Sequence, residues 1–294
     1  MSLLFLALLA GCGTGLTRYG DTGDTALTLD TGDTSDTGRS LGGTGTSGLV
    51  EFDLLQVACP SCFGATSSLT VTASAAFHDP VPGSWIAWMP PVGGCAFNTA
   101  PVPLATSTRD VGQWVYLQSG SKSIGLLRTT ASLGTIYQKN DATESDFVRN
   151  AAWDVVIPDA DPTETIQGGL QTTEGFDAIQ PIEMLYTQPA AAFSAAISRQ
   201  GQQFTWSPSG SGDFFVVLVD VYDASGSTHL GSVMCRGPDN GSLAIPSAGW
   251  SPFPPGSLLA IGLYRYRHNV ADVPDGSVLE SVSSDGVLGT GTLY

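Results

Sequence analysis

The sequence predicts an all-β protein, and three observations predict it. From Leu49 onward, short apolar segments rich in Val, Ile, Phe, Tyr and Thr alternate with clusters of Gly, Pro, Asn and Asp, the pattern of strands bounded by turns. No stretch sustains a 3.6-residue apolar period over three turns, as a core-facing helix would. The composition agrees: 36 Gly, 18 Pro and 13% charged residues in a chain of 294, against a usual charged fraction of about 25%. The expected architecture is two tandem β-sandwich-like domains behind an export signal and a disordered linker.

Residues 1–12, Met-Ser-Leu-Leu-Phe-Leu-Ala-Leu-Leu-Ala-Gly-Cys, form an apolar run well short of the ~20 residues that span a bilayer. The run fits the hydrophobic part of an export signal. Its end, Leu9-Ala10-Gly11-Cys12, resembles the lipobox of bacterial lipoproteins. The resemblance implies cleavage before Cys12, lipidation of that residue including palmitate, and a membrane partner reached through the lipid. Acyl chains contribute about 0.8 kcal/mol per buried methylene, so several chains anchor a protein without a transmembrane helix. Gly13, where Asp would stand in lipoproteins kept at the inner membrane, points to the outer membrane.

Residues 13–48 are a low-complexity linker of Gly, Thr, Ser, Asp and Leu. The tract has too little apolar surface to offset the entropy of ordering it. Leu27-Thr28-Leu29-Asp30-Thr31-Gly32 looks like an aspartic-protease signature. However, the Asp-Thr-Gly triplet recurs at Asp21 and Asp36, and no apolar run follows to build a sheet behind it, so the tract reads as spacer. About 35 flexible residues hold a folded body roughly 30 Å from its anchor.

Residues 49–188 form the first β domain in this reading. Its predicted strands are Val50 to Ala58, Ser68 to Phe77, Ser84 to Trp88, Gln113 to Leu117, Ser123 to Leu127, Thr135 to Tyr137 and Trp153 to Ile157. The stretch from 158 to 190 is rich in Pro, Gly, Asp and Thr, and the boundary falls near Gln188-Pro189. Residues 189–294 form the second domain. Its strands run from Phe193 to Ser198, Gln203 to Trp206, Asp213 to Tyr222, His229 to Cys235, Ser242 to Ile245, Leu258 to Tyr266, Val278 to Val282 and Val287 to Leu293. Phe214 to Val219 is apolar at every position, which suits a central strand covered on both faces. Pro238-Asp239-Asn240-Gly241 supplies the residues of a tight turn, predicting a hairpin between Cys235 and Ser242.

Charge bounds the partners. Eleven Lys and Arg stand against 27 Asp and Glu, a net −16, which repels a phosphate backbone and disfavours nucleic acid. The linker holds five Asp against Arg18 and Arg39, so 22 acidic and nine basic residues remain from residue 49 onward. Most of the acidity belongs to the folded part.

Without Cys12, four cysteines remain: Cys59, Cys62, Cys95 and Cys235. An even count behind an export signal implies disulfides, with three possible pairings. Cys59 with Cys62 and Cys95 with Cys235 is the favoured one. Cys59-Pro60-Ser61-Cys62 lacks the following helix and neighbouring cations that stabilise a redox thiolate. Zinc would want a second such pair. His78, His229 and His268 share no ligand spacing, and no nucleophile elbow, Walker loop or His-Glu-x-x-His occurs. Calcium is the one ion with candidate ligands. Asp159, Asp161 and Glu164 place three oxygen donors on a loop, and Asp141, Glu144 and Asp146 form a second acidic cluster. Among the aromatic residues, Trp85, Trp88 and Trp206 read as core. Trp250 lies in the Pro-rich stretch Ala248 to Pro255 and is the candidate for stacking on a sugar. Arg265 and Arg267 alternate with Tyr264 and Tyr266, placing two cations on one strand face, with their stems along a sheet edge.

The lipobox and the Asp-Thr-Gly spacer carry a wider resemblance, joined by Gly94-Cys95, Asp110-Val111-Gly112 with Tyr137, Trp206-Ser207-Pro208, and Cys235-Arg236 running through Asp239 to Ile245-Pro246. The chain resembles uncharacterised surface lipoproteins of deltaproteobacteria such as myxobacteria. The C-terminal half also resembles fibronectin type III and immunoglobulin-like modules, with Trp206 as the buried strand tryptophan. The resulting expectation is a structural, adhesive or binding module of the cell envelope, with a protein or polysaccharide partner. The alternatives are a secreted hydrolase with an unpatterned site, or a carbohydrate-binding lipoprotein.

Overall fold

The structure is a computed structural model that describes residues 45–57, 69–81, 84–97, 108–131, 134–139, 141–159, 164–176, 178–180, 195–208, 214–273 and 276–294. The signal, residues 13–44 of the linker, Cys12, Cys59, Cys62, Asp161 and the boundary at Gln188-Pro189 lie outside these residues, while Thr46 to Gly48, expected in the linker, open the first strand.

Most of the described chain is strand. Sixteen strands run in order: β1 (Thr46–Val57), β2 (Leu69–Val81), β3 (Cys95–Phe97), β4 (Trp114–Ser119), β5 (Lys122–Ala131), β6 (Gly134–Lys139), β7 (Ala152–Ile157), β8 (Glu164–Gln171), β9 (Ala178–Gln180), β10 (Ala196–Ile197), β11 (Gly201–Trp206), β12 (Phe214–Tyr222), β13 (His229–Gly237), β14 (Ser242–Pro246), β15 (Leu258–Asp272) and β16 (Val278–Leu293). Among the described residues one short helix, α1 (Ser247–Trp250), and a 3-10 turn at Trp85–Trp88 accompany the strands. The all-β class is as the sequence predicts.

Strands from both sides of residues 188–189 share a single sheet. Its order is β3-β13-β12-β15-β16-β1-β2-β6-β5-β4-β7-β8, with β10 added beside the end of β16. A second sheet, β14-β11-β9, covers one end of it. The element that joins the halves is the β15–β16 hairpin, paired from Leu258↔Thr292 to Asp272↔Val278. At about 3.4 Å per residue its arms are ~50 Å long, enough to serve two cores in succession. Leu259, Ile261 and Leu263 with Val287 and Leu293 fill the core under β11, β12 and β13. Further along the same face, Leu279 joins Val50, Phe52, Leu54, Trp153 and Leu170 in the other core. The sheet curls until β8, at the far end of its path, lies against β15 and β16, where Asn269 donates to the Gly168 carbonyl at 2.8 Å.

Between the two cores the hairpin face turns polar, with Arg265, Arg267 and Asn269 opposite Asp285, Ser283 and Ser281. Arg265 is 1% exposed and uses its whole fork. Nε donates to Asp239 Oδ2 at 2.7 Å and Nη2 to Asp239 Oδ1 at 3.3 Å. Nη1 donates to the Gly175 carbonyl at 2.6 Å and Nη2 to the Ser207 carbonyl at 2.6 Å. Asp239 also accepts the indole N–H of Trp206 at 2.6 Å. Such a planar, five-donor group can close a buried junction that an ammonium cannot. Arg265 is therefore the hub of a central strand, and the expectation that its stem runs along a sheet edge is corrected.

Four further differences from the sequence reading have physical causes. Ser84 to Trp88 forms a 3-10 turn instead of a strand, capped by the Ser84 hydroxyl accepting the Ile86 N–H and followed by Pro90-Pro91, which cannot donate to a ladder. Pro238 to Gly241 carries the chain from the large sheet to the small one, since β13 pairs with β12 and β3 while β14 pairs with β11, so no hairpin forms. The strands expected at Val278 to Val282 and Val287 to Leu293 are one, β16, which passes straight through Ser283 to Gly286 because each polar side chain there finds a tertiary partner. The Ser283 hydroxyl accepts the Thr173 N–H, Ser284 donates to Asp53, and Asp285 accepts from Arg149. Finally β3, β8 and β9 occupy stretches without strand signals. Trp206 meets its expectation: it is 1% exposed and stacked on Phe215 at 3.6 Å between ring centroids. Phe214 to Val219 is likewise a central strand whose alternate residues enter opposite cores.

Cys95 and Cys235 form a disulfide between paired positions of β3 and β13, separated by 140 residues of sequence.

Candidate functional site

Among the other residues singled out from sequence, Asp161 lies outside the described residues, and the described acidic groups have separate partners. Asp159 accepts the Gln113 N–H at 2.6 Å, and Glu164 opens β8. In the second cluster Asp141 binds Lys139 at 2.9 Å, Asp146 accepts the Thr143 N–H at 2.8 Å, and Glu144 lies 3.8 Å from Arg149. Among the described residues, no group of three His, Cys, Asp or Glu is arranged to hold a metal ion. The histidines lie apart, His229 beside Asp220 at 3.3 Å and His268 beside Glu280 at 3.5 Å. Trp250 is fully buried at the end of α1, in the core with Phe204, Ile245 and Phe253. Its indole has no face open to a sugar, and the ligand-stacking reading of Trp250 is corrected: the Pro-rich stretch folds inward because α1 packs on β11 and β14.

The exposed aromatic surface lies elsewhere, on β4. Val115 and Leu117 are fully buried. Since side chains alternate along a strand, Trp114, Tyr116 and Gln118 face outward. The Trp114 and Tyr116 rings stand 6.1 Å apart at an interplanar angle of 21°. Gly125, opposite Tyr116 on β5, supplies the floor. A Cβ at Gly125 would meet ring atoms of both aromatics at 3.3 Å, so both rings lean over bare backbone. Leu127 faces Trp114 across the pair, with exposures of 40% and 37%. Gln118 and Ser123 are exposed and paired beyond Tyr116. The nearest cations are occupied. Arg128 pairs with Asp110 at 2.6 Å, and Lys122 donates to the Ser145 carbonyl at 3.0 Å. The result is an aromatic strip edged by Gln118 and Ser123, with Asp154 of β7 beside Gln118 and its carboxylate accepting the Gly168 N–H at 2.7 Å. Sequence reasoning passed over it, although the alternation Trp-Val-Tyr-Leu-Gln carries the signal: if Val115 and Leu117 face a core, two large rings must face out.

A second chemically unusual place lies on the face of β1 and β16 opposite the two large cores. Glu51 and Asp53 alternate with Val50, Phe52 and Leu54 and point away from their core. Ser74 donates to Glu51 at 3.4 Å and Ser284 to Asp53 at 2.6 Å. Burial, and then the neighbouring Asp53 carboxylate, pushes Glu51 up from 4.5 to about 7. Burial likewise pushes Asp53 up from 3.8 to about 6. Glu280 is 1% exposed. Burial alone would raise it, but hydrogen bonds involving His268, Ser84 and the Trp85 N–H outweigh that effect and hold its carboxyl below the usual range. Trp85 and Met89 help cover this face together with Tyr264 and Val282. Such raised carboxyls are the kind acid–base chemistry uses. Here they sit on a packed face, where their protonation acts on stability.

No family model and no curated protein matches the chain. Among solved structures the chain is similar to the FN1–FN3 domains of chicken CNTN1, with 8% sequence identity over 73% of this chain and 62% of that one and a TM-score of 0.17. The chain thus spans under two thirds of that structure, and a TM-score of this size carries no argument about fold or function.

Proposed function

We propose that this protein is a lipid-anchored component of a bacterial cell envelope, held at the outer membrane through Cys12, and that its β body acts as a structural, adhesive or binding module. The observation that carries the reading is Leu9-Ala10-Gly11-Cys12 behind an apolar run and ahead of a long Asp-Thr-Gly spacer. This arrangement suits a folded body displayed at a distance from a lipid anchor. The wider resemblance to deltaproteobacterial surface lipoproteins supports the same reading. The construction of the body is consistent with display. A shared hairpin, a disulfide and a buried guanidinium hub tie its parts together, so an outward surface is held rigid at low entropic cost to a partner.

The test is expression of the full chain in a Gram-negative host with labelled palmitate. The wild type takes up label and fractionates with the outer membrane, whereas Cys12→Ala takes up none and leaves the membrane fraction. A Cys12→Ala variant that remained with the membrane would sink the anchor.

A further inference from the structure

We propose that the outward face of β4 and β5 is a glycan-binding platform, with Trp114 and Tyr116 stacking on successive sugar rings of an extended, uncharged polysaccharide. This deepens the binding-module reading and rests on it. Three observations select the ligand. The two rings lie within 21° of a common orientation at 6.1 Å spacing on the outward face of one strand, which suits a chain laid along the strand. Ring atoms of both residues lie against the bare backbone at Gly125, with Trp114 37% exposed. The strip is therefore preorganised, and contact there immobilises few rotamers. The apolar faces of pyranose rings carry C–H groups that pack on such π surfaces, while their equatorial hydroxyls point sideways. Gln118 and Ser123, exposed at the edge of the strip, offer amide and hydroxyl partners at that level.

Charge excludes the other ligand that stacks on flat aromatic rings. Single-stranded nucleic acid needs free cations beside its stacking residues. Here Arg128 is engaged by Asp110 and Lys122 by the Ser145 carbonyl, on a chain of net charge −16. An acidic polysaccharide meets the same repulsion, which leaves a neutral glycan. The role of the rings as a mere cover for Gly125 accounts for their packing but not for an open Trp114 beside an open Leu127. A cover would bury more of the apolar surface it brings to the strip.

The experiment uses full-length protein extracted in mild detergent, and measures retention on insoluble cellulose, chitin and a mixed-linkage β-glucan by depletion from solution. An oligodeoxythymidylate resin serves as a stacking control. The wild type is retained on at least one neutral polysaccharide and not on the oligonucleotide. Trp114→Ala and Tyr116→Ala each weaken retention at least tenfold with the thermal midpoint within about 3 °C of wild type. Trp114→Phe keeps retention within about threefold. Retention undiminished in both alanine variants would overturn the platform and leave a glycan-binding module with its site elsewhere. No wild-type retention on any of the three glycans, or salt-sensitive retention on the oligonucleotide alone, would overturn the ligand class. Neither result bears on the Cys12 fractionation.

Discussion

Replacing Arg265 by Met keeps a long flexible side chain in place while deleting a buried charge, and its cost follows from what is left behind. Asp239, 2% exposed at its side chain, keeps only the Trp206 indole N–H as a donor, and the Gly175 and Ser207 carbonyls lose theirs. Breaking a buried pair by removing one partner costs about 3–5 kcal/mol. Each orphaned carbonyl adds about 1 kcal/mol or more. The expected loss is about 5 kcal/mol, or roughly 10–20 °C in Tm for a body of this size. Thermal and urea unfolding followed by far-UV circular dichroism measure it.

A further result follows from the same cause. Arg265→Met combined with Asp239→Leu removes both charges and recovers more than half of the loss. A single variant within 1 kcal/mol of wild type, or a double variant whose losses simply add, would refute the account of Arg265 as a coupled hub.

Other expectations can be checked with the same unfolding assays. Glu51 and Asp53 have folded pKa values above their unfolded ones, so the stability they contribute is complete below about pH 4 and is lost as pH rises through 6 to 7. The wild-type midpoint falls between pH 5 and pH 8, the fall is smaller in Glu51→Gln, and a midpoint rising over that range would contradict the reading. Reducing the Cys95–Cys235 bridge, or replacing both residues by Ala, frees a loop of 140 residues and lowers stability by about 3–5 kcal/mol; an unchanged midpoint in reductant would count against a structural role. Gly286→Ala puts a Cβ 2.5 Å from the buried Tyr264 ring that lies across it and costs about 2–3 kcal/mol; a Gly286→Ala protein as stable as wild type would show the ring free to move. Trp250→Ala empties a fully buried site and costs about 3–5 kcal/mol, whereas an exposed stacking tryptophan would cost little.

The readings that succeeded from sequence rest on local physics. Phe214 to Val219 is apolar at every position, so a strand there must be covered on both faces, and β12 is. Trp206 near Phe215 reads as core because an indole in a strand-rich half has more to gain from burial than from exposure. The readings that failed needed a partner distant in sequence. Ser283 to Gly286 carries every local mark of a turn, and only Thr173, Asp53 and Arg149 make it a strand. Pro238 to Gly241 is a correct turn whose destination, the second sheet, is set by β11. Trp250 looks exposed beside Pro252, Pro254 and Pro255, yet α1 folds it under. The aromatic strip was legible in principle, because alternation alone sends Trp114 and Tyr116 to the face opposite Val115 and Leu117. Its floor was not, because Gly125 comes beneath the rings only through the register of β4 with β5.

By itself the sequence determined the β class, the excess of acidic over basic residues, the lipobox-like start followed by an Asp-Thr-Gly tract, and a set of cysteines consistent with disulfides. Those are properties of composition and of neighbours along the chain, and they survive whatever the tertiary arrangement. Only the tertiary structure decided that strands from both halves share one sheet, that Arg265 is a buried hub, and that Trp114 in place of Trp250 faces solvent. Each of these is a question of which side of a strand meets a core, and a core is assembled from segments more than a hundred residues apart.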